Sequence, residues 1–146
     1  MSKLAYKGDD HPEAAKKHLS DAGVLEKAGR PDGTAYLAGY IVECSLKSVV
    51  LLQINAPNPK WRGKDGHDLP KIHSELINLT TLAGSKIGRY VSTALKNLPM
   101  AAILAWNPEM RYRAPSIGNA QATTWLSEAR SVYNETVGQM ILDGVI

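Results

Sequence analysis

The stretch from Thr34 to Gln53 constrains this chain more than any other. It is almost wholly apolar, yet it carries one acid, Glu43, and one base, Lys47, four residues later. On a helix these two share a face, one turn apart, with the acid on the N-terminal side, the order that favours pairing. A helix that is apolar all round is a buried helix. The segment therefore predicts the central helix of an all-helical domain, with a Glu–Lys pair inside or at the edge of its core.

The same run is about long enough to span a bilayer. Two charges in its middle, each costing roughly 2.5–3.5 kcal/mol at the bilayer centre, argue against that use. With 146 residues the chain fits one domain, read as spanning 1–146. The single cysteine, Cys44, lies in the apolar run and has no internal disulfide partner. Met1–Asp10 lacks the apolar stretch of a secretory signal, so the expected setting is reducing and cytoplasmic.

The net charge is only +3, but it is unevenly spread. Residues 86–113 hold Lys86, Arg89, Lys96, Arg111 and Arg113 against Glu109 alone, whereas residues 114–146 are net acidic. Such a patch attracts phosphate or simply faces water.

Apolar periodicity places a first helix over about 12–28, with Asp10 or His11 as cap and Pro12 in its first turn. Arg30-Pro31-Asp32-Gly33 reads as a turn, and the second helix runs over 34–54. Residues 55–67 read as a long loop containing Trp61, which either packs back on the domain or covers a ligand. Asp68 and Pro70 open a third helix that ends before Ala83-Gly84-Ser85. A shorter helix is expected over 86–98, a brief one over 100–106, a second polar loop over 107–118, and a last helix over 119–142. His18 is expected to be a satisfied core histidine and His73 to lie at the surface.

The chain has no His-Glu-x-x-His pair, no phosphate-binding glycine loop and no Gly-x-Ser-x-Gly elbow. That argues against zinc hydrolases, P-loop enzymes and α/β-hydrolases; neither a metal site nor a cofactor is expected.

Several short motifs occur in a telling order. Pro12-Glu13-Ala14-Ala15 opens the first helix, Ala35-Tyr36-Leu37-Ala38-Gly39-Tyr40 leads to Glu43-Cys44-Ser45-Leu46-Lys47, Gly66-His67-Asp68-Leu69 opens the third helix, and Arg111-Tyr112 precedes the last. Together they resemble the HEPN family, the helical "higher eukaryote and prokaryote nucleotide-binding" domains, over roughly residues 12–135. The resemblance implies an antiparallel bundle of four to five main helices plus a short extra helix, usually a homodimer. It implies a role as an RNase in toxin–antitoxin or defence systems, as a partner of small nucleotidyltransferases, or as a non-catalytic binding module.

Catalytic members of that family carry Arg-x(4–6)-His near the start of a late helix. The pair serves metal-independent RNA cleavage, in which the ribose 2′-hydroxyl attacks the adjacent phosphate. Here Arg111-Tyr112-Arg113 has no such His downstream, and the one literal match, Arg62 to His67, lies in the glycine-rich loop. Three readings follow. The favoured one is a non-catalytic module that binds nucleotide, RNA or a nucleotidyltransferase-type partner through Glu43, Lys47, Arg111, Tyr112 and Arg113. The second is an RNase using His67 with Arg62 or with Arg111. The third is a structural dimerisation domain in which Glu43 and Lys47 only fix helix register. In any of the three, Glu43 and Lys47 are expected to be mostly buried, with Arg111 or Tyr112 as polar neighbours.

Overall fold

The computed structural model describes residues 1–56, 61 and 63–146. It is all-α: among the described residues there is no strand, only an isolated bridge between Tyr6 and Asp9. Helix α1 spans His11–Lys27, α2 Pro31–Ile54, α3 Leu69–Thr80, α4 Thr93–Lys96, α5 Asn119–Tyr133 and α6 Gln139–Leu142.

Helix α2 is the axis of the molecule. It packs against α1, α3 and α5, which is why its sequence shows no polar face. Every residue from Ile41 to Leu51 is buried, Glu43 and Lys47 included. It is the one described helix long and apolar enough to cross a membrane, and 72% of that window is buried inside the chain's own fold. It starts three residues earlier than the sequence suggests. Arg30-Pro31-Asp32-Gly33 is not a free turn: Pro31 occupies the first helical turn, where its missing N–H costs nothing. Asn55, in the left-handed conformation at φ 52°, ends the helix.

The caps of α1 and α3 follow the sequence. The Asp10 carboxylate accepts from the Glu13 N–H, and the Asp68 carboxylate accepts from the Lys71 N–H at 3.0 Å. The loop between α2 and α3 is not wholly irregular, since Gly63–His67 forms a 3-10 turn.

The expected helix over 86–98 is not formed. A 3-10 turn at Gly88–Tyr90 ends at Val91, and extended Ser92 caps the single turn of α4, its hydroxyl accepting from the Leu95 N–H. Ser92 also donates to Glu135, a side-chain partnership that favours a cap over a helix interior. Ile87, Tyr90, Leu95, Leu98 and Ile103 are all buried, so side-chain packing anchors this irregular backbone to the core. Residues 102–105 form a 3-10 turn whose first N–H groups donate to Glu128 of α5. A further 3-10 turn, Pro108–Tyr112, lies within the second polar loop. The last helix runs on from α5 to α6 through a π-helical turn at Asn134–Gly138, where buried Thr136 donates to the Val132 carbonyl.

Candidate functional site

One stripe of α2 carries Tyr36, Tyr40, Glu43 and Lys47, spaced i, i+4, i+7 and i+11. That spacing stacks four polar-tipped side chains along one face. Its centre is Glu43, whose side chain is only 4% exposed. Lys47 Nζ donates to Glu43 Oε1 at 2.7 Å. His67 Nδ1 lies 2.9 Å from Oε2. A carboxylate only accepts, so Nδ1 carries the donated proton. The His67 side chain is 41% exposed, and its Nε2 has no partner among the described residues. The pair thus presents one imidazole nitrogen outward while the other is held by a buried acid.

The neighbouring chain is shaped to bring His67 there. A Cβ on Gly66 would lie 2.1 Å from the Trp61 carbonyl oxygen, so only glycine lets the turn close this tightly. Closure turns both His67 and Trp61 toward α2. Lys47 Nζ sits 5.3 Å from the Trp61 ring centroid, a cation–π contact, and the edge of His11 meets the same indole. The pair's neighbours are therefore His67 and Trp61, not Arg111 or Tyr112 as the sequence suggested. Trp61 packs back on the domain.

Two further histidines, His11 and His18, stand near this centre. Burial holds the His11 pKa below its ordinary value, and the nearby Lys47 charge lowers it further. Burial also lowers that of His18, which stands against Tyr40 with ring centroids 5.6 Å apart. His18 is not satisfied as expected, because its buried Nδ1 has no hydrogen-bond partner among the described residues. His73 is not at the surface: it is 5% exposed, with Nε2 2.8 Å from the Leu95 carbonyl, and it ties α3 to α4. Burial pushes the Cys44 thiol up to about 12, which leaves it unreactive.

At the other end of the stripe, the Tyr36 and Tyr40 hydroxyls lie 3.2 Å apart, and the Tyr40 ring meets His67 edge-on at 5.9 Å. Burial and the Tyr36 contact raise the Tyr40 pKa, and the negative Glu43 adds to the rise. Arg111 has its pKa raised chiefly by the Tyr36 hydroxyl, and its guanidinium stands 4.8 Å from the Tyr112 ring centroid. The face therefore runs from Lys47 and Glu43 through His67, Tyr40 and Tyr36 to Arg111.

Not every candidate joins it. Arg113 lines a separate cavity of about 230 Å3 with Asp32, Met110 and Trp125. Tyr112 is 77% exposed and touches only Arg111 in this group. Arg62 lies outside the described residues. Arg89 is held by Asp143 through two hydrogen bonds, at 2.5 and 2.8 Å, so its charge is matched within the fold. A larger hollow of about 510 Å3 lies beside Trp61 and is lined by Asp65, Lys71, Ser74, Glu75 and Asn78 of the α3 side. Among the described residues no cluster of His, Cys, Asp or Glu is arranged to hold a metal ion.

Tyr36, Tyr40, His11 and Trp106 were not singled out from the sequence as site residues. The i, i+4, i+7, i+11 stripe was the available signal for the two tyrosines. No family model, no curated protein and no solved structure matches this chain.

Proposed function

We propose that this chain is a HEPN-like helical module that binds a phosphate-bearing ligand, nucleotide or single-stranded RNA, on the face that runs from His67 to Arg111. The observation that carries the reading is the His67 imidazole held by a buried Glu43, with its outer nitrogen open and Arg111 next along the same tyrosine pair. Arg111 supplies a fixed positive charge for a phosphate. Tyr36 and Tyr112 offer aromatic faces beside it, suited to stacking a base. Lys47 balances Glu43, so the buried acid does not repel an anion as a bare carboxylate would.

A second reading is metal-independent RNA cleavage by His67 and Arg111. The Glu43–His67 pair favours it: a carboxylate-held imidazole with one free nitrogen is suited to general acid–base work. In that case the open Nε2 takes the proton of the ribose 2′-hydroxyl, the 2′-oxygen bonds to phosphorus as the P–O5′ bond breaks, Arg111 stabilises the charge on the phosphate, and the departing 5′-oxygen takes up a proton, leaving a 2′,3′-cyclic phosphate.

Fluorescence anisotropy with a labelled single-stranded RNA, repeated across a range of salt, tests the first reading. Affinity is expected to fall as salt rises, by a log–log slope of about 0.7 for each phosphate contact on a single strand. Affinity that ignores salt, or no binding, counts against it. Gel analysis of the same RNA in EDTA tests the second: cleavage abolished by His67→Ala supports it, and intact RNA leaves binding as the function.

A further inference from the structure

Resting on the phosphate-binding reading, we propose that Trp106 is a positioning residue of this face: seated in a notch at Gly39, it sets where the turn carrying Arg111 meets Tyr36. Glycine is a poor choice for a helix interior, yet Gly39 lies within α2. The reason is close approach. A Cβ at position 39 would lie 2.0 Å from Trp106 Cδ2 and Cε2 and 2.2 Å from Nε1. The indole therefore lies directly on the helix backbone, and it is only 3% exposed.

The seat is directional as well as apolar. Trp106 Nε1–H donates to the Tyr36 carbonyl at 3.0 Å, and the Trp106 and Tyr40 rings meet edge to face at 5.0 Å. From Trp106 the chain passes straight into the short turn that holds Arg111. Asn107 caps that turn by accepting from the Glu109 N–H at 3.0 Å, and Pro108 fixes its first backbone angle. Between the indole and Arg111 there is thus little freedom. Tyr36 meets both ends of this unit: its carbonyl takes the indole, and its hydroxyl stands beside Arg111. Tyr40, which Trp106 supports, also walls His67. Neither Trp106 nor Gly39 needs to touch a ligand for this.

Trp106→Phe keeps an aromatic ring in the notch and removes the indole donor. Two measurements decide the role. In the first, wild type, Trp106→Phe, Arg111→Ala and the double variant are titrated with labelled single-stranded RNA across salt. Trp106→Phe should lower the salt slope by about 0.7, the share of a single phosphate, as Arg111→Ala does. The double variant should be no weaker than Arg111→Ala alone. A wild-type slope in Trp106→Phe, or effects that add, overturns the proposal. In the second, the Arg111 side-chain Nε–H resonance is followed by nitrogen-15 NMR without ligand. It should be dispersed in the wild type and collapse toward the exposed-arginine position in Trp106→Phe; an unmoved resonance overturns the proposal even if wild type binds RNA. If wild type shows no salt-dependent binding, the phosphate reading falls, and the NMR measurement still decides whether Trp106 places Arg111. Gly39→Ala serves as a second variant, expected to displace the same resonance.

Discussion

Glu43 Oε2 lies 2.9 Å from His67 Nδ1 across 24 residues of sequence, while the other oxygen of the same carboxylate is held by Lys47 at 2.7 Å. The buried acid thus has both oxygens committed. One joins two turns of α2; the other brings the segment before α3 onto that helix. Stability and the proposed ligand chemistry meet in the same carboxylate.

Lys47→Ala removes the ammonium and leaves Glu43 buried with His67 alone. Breaking a buried pair in this way costs about 3–5 kcal/mol, against about 0.2–0.5 kcal/mol for an exposed helix pair. Urea unfolding of Lys47→Ala should therefore show a loss of several kcal/mol. A loss under about 1 kcal/mol would mean that the pair contributes like a surface one.

The pH dependence of stability follows from His11 and His18, both held below the ordinary 6.5 by burial. A folded-state value below the unfolded one means that the unfolded chain takes up protons first as the pH falls. This contribution to stability is full above about pH 6.5, declines as the pH drops toward the folded-state values, and levels off below them. The urea midpoint should fall between pH 7 and pH 5, and by less in the His11→Gln/His18→Gln double variant. A midpoint that rises on acidification, or equal falls in both proteins, contradicts this.

Gly39→Ala sets two effects against each other. Helix propensity alone favours alanine by about 0.8–1.0 kcal/mol. The overlap with Trp106 opposes it, since inserting a methyl group into a filled site costs roughly 1–3 kcal/mol. Packing should win, and thermal unfolding should show a net loss of stability. A gain would mean that the indole can leave its notch freely.

The all-helical class and the burial of Glu43 and Lys47 were legible because both are local: an apolar run with charges one turn apart has few ways to fold. The caps at Asp10 and Asp68 were legible for the same reason. The helix expected over 86–98 does not form: Ile87, Val91, Leu95 and Leu98 keep near-helical spacing, yet here they anchor turns to the core, and Ser92 breaks the run. The site was half legible. Tyr36, Tyr40, Glu43 and Lys47 form one stripe in the sequence, but nothing local joins Glu43 to His67 or Trp106 to Tyr36, 70 residues away. The only trace of the second contact is a glycine in a helix interior. Arg111 and Arg113, neighbours in sequence, meet different groups because the turn ending at Tyr112 separates them.

The most direct test of the account is to locate the ligand. Nitrogen-15-labelled protein is titrated with a short single-stranded RNA, and the shifted resonances are mapped on the fold. Shifts are expected at Tyr36, Tyr40, His67 and the Arg111 side chain, with Ser74 and Asn78 of the α3 hollow unmoved. Shifts confined to that hollow, or to the cavity beside Arg113, with His67 and Arg111 unchanged, would contradict it.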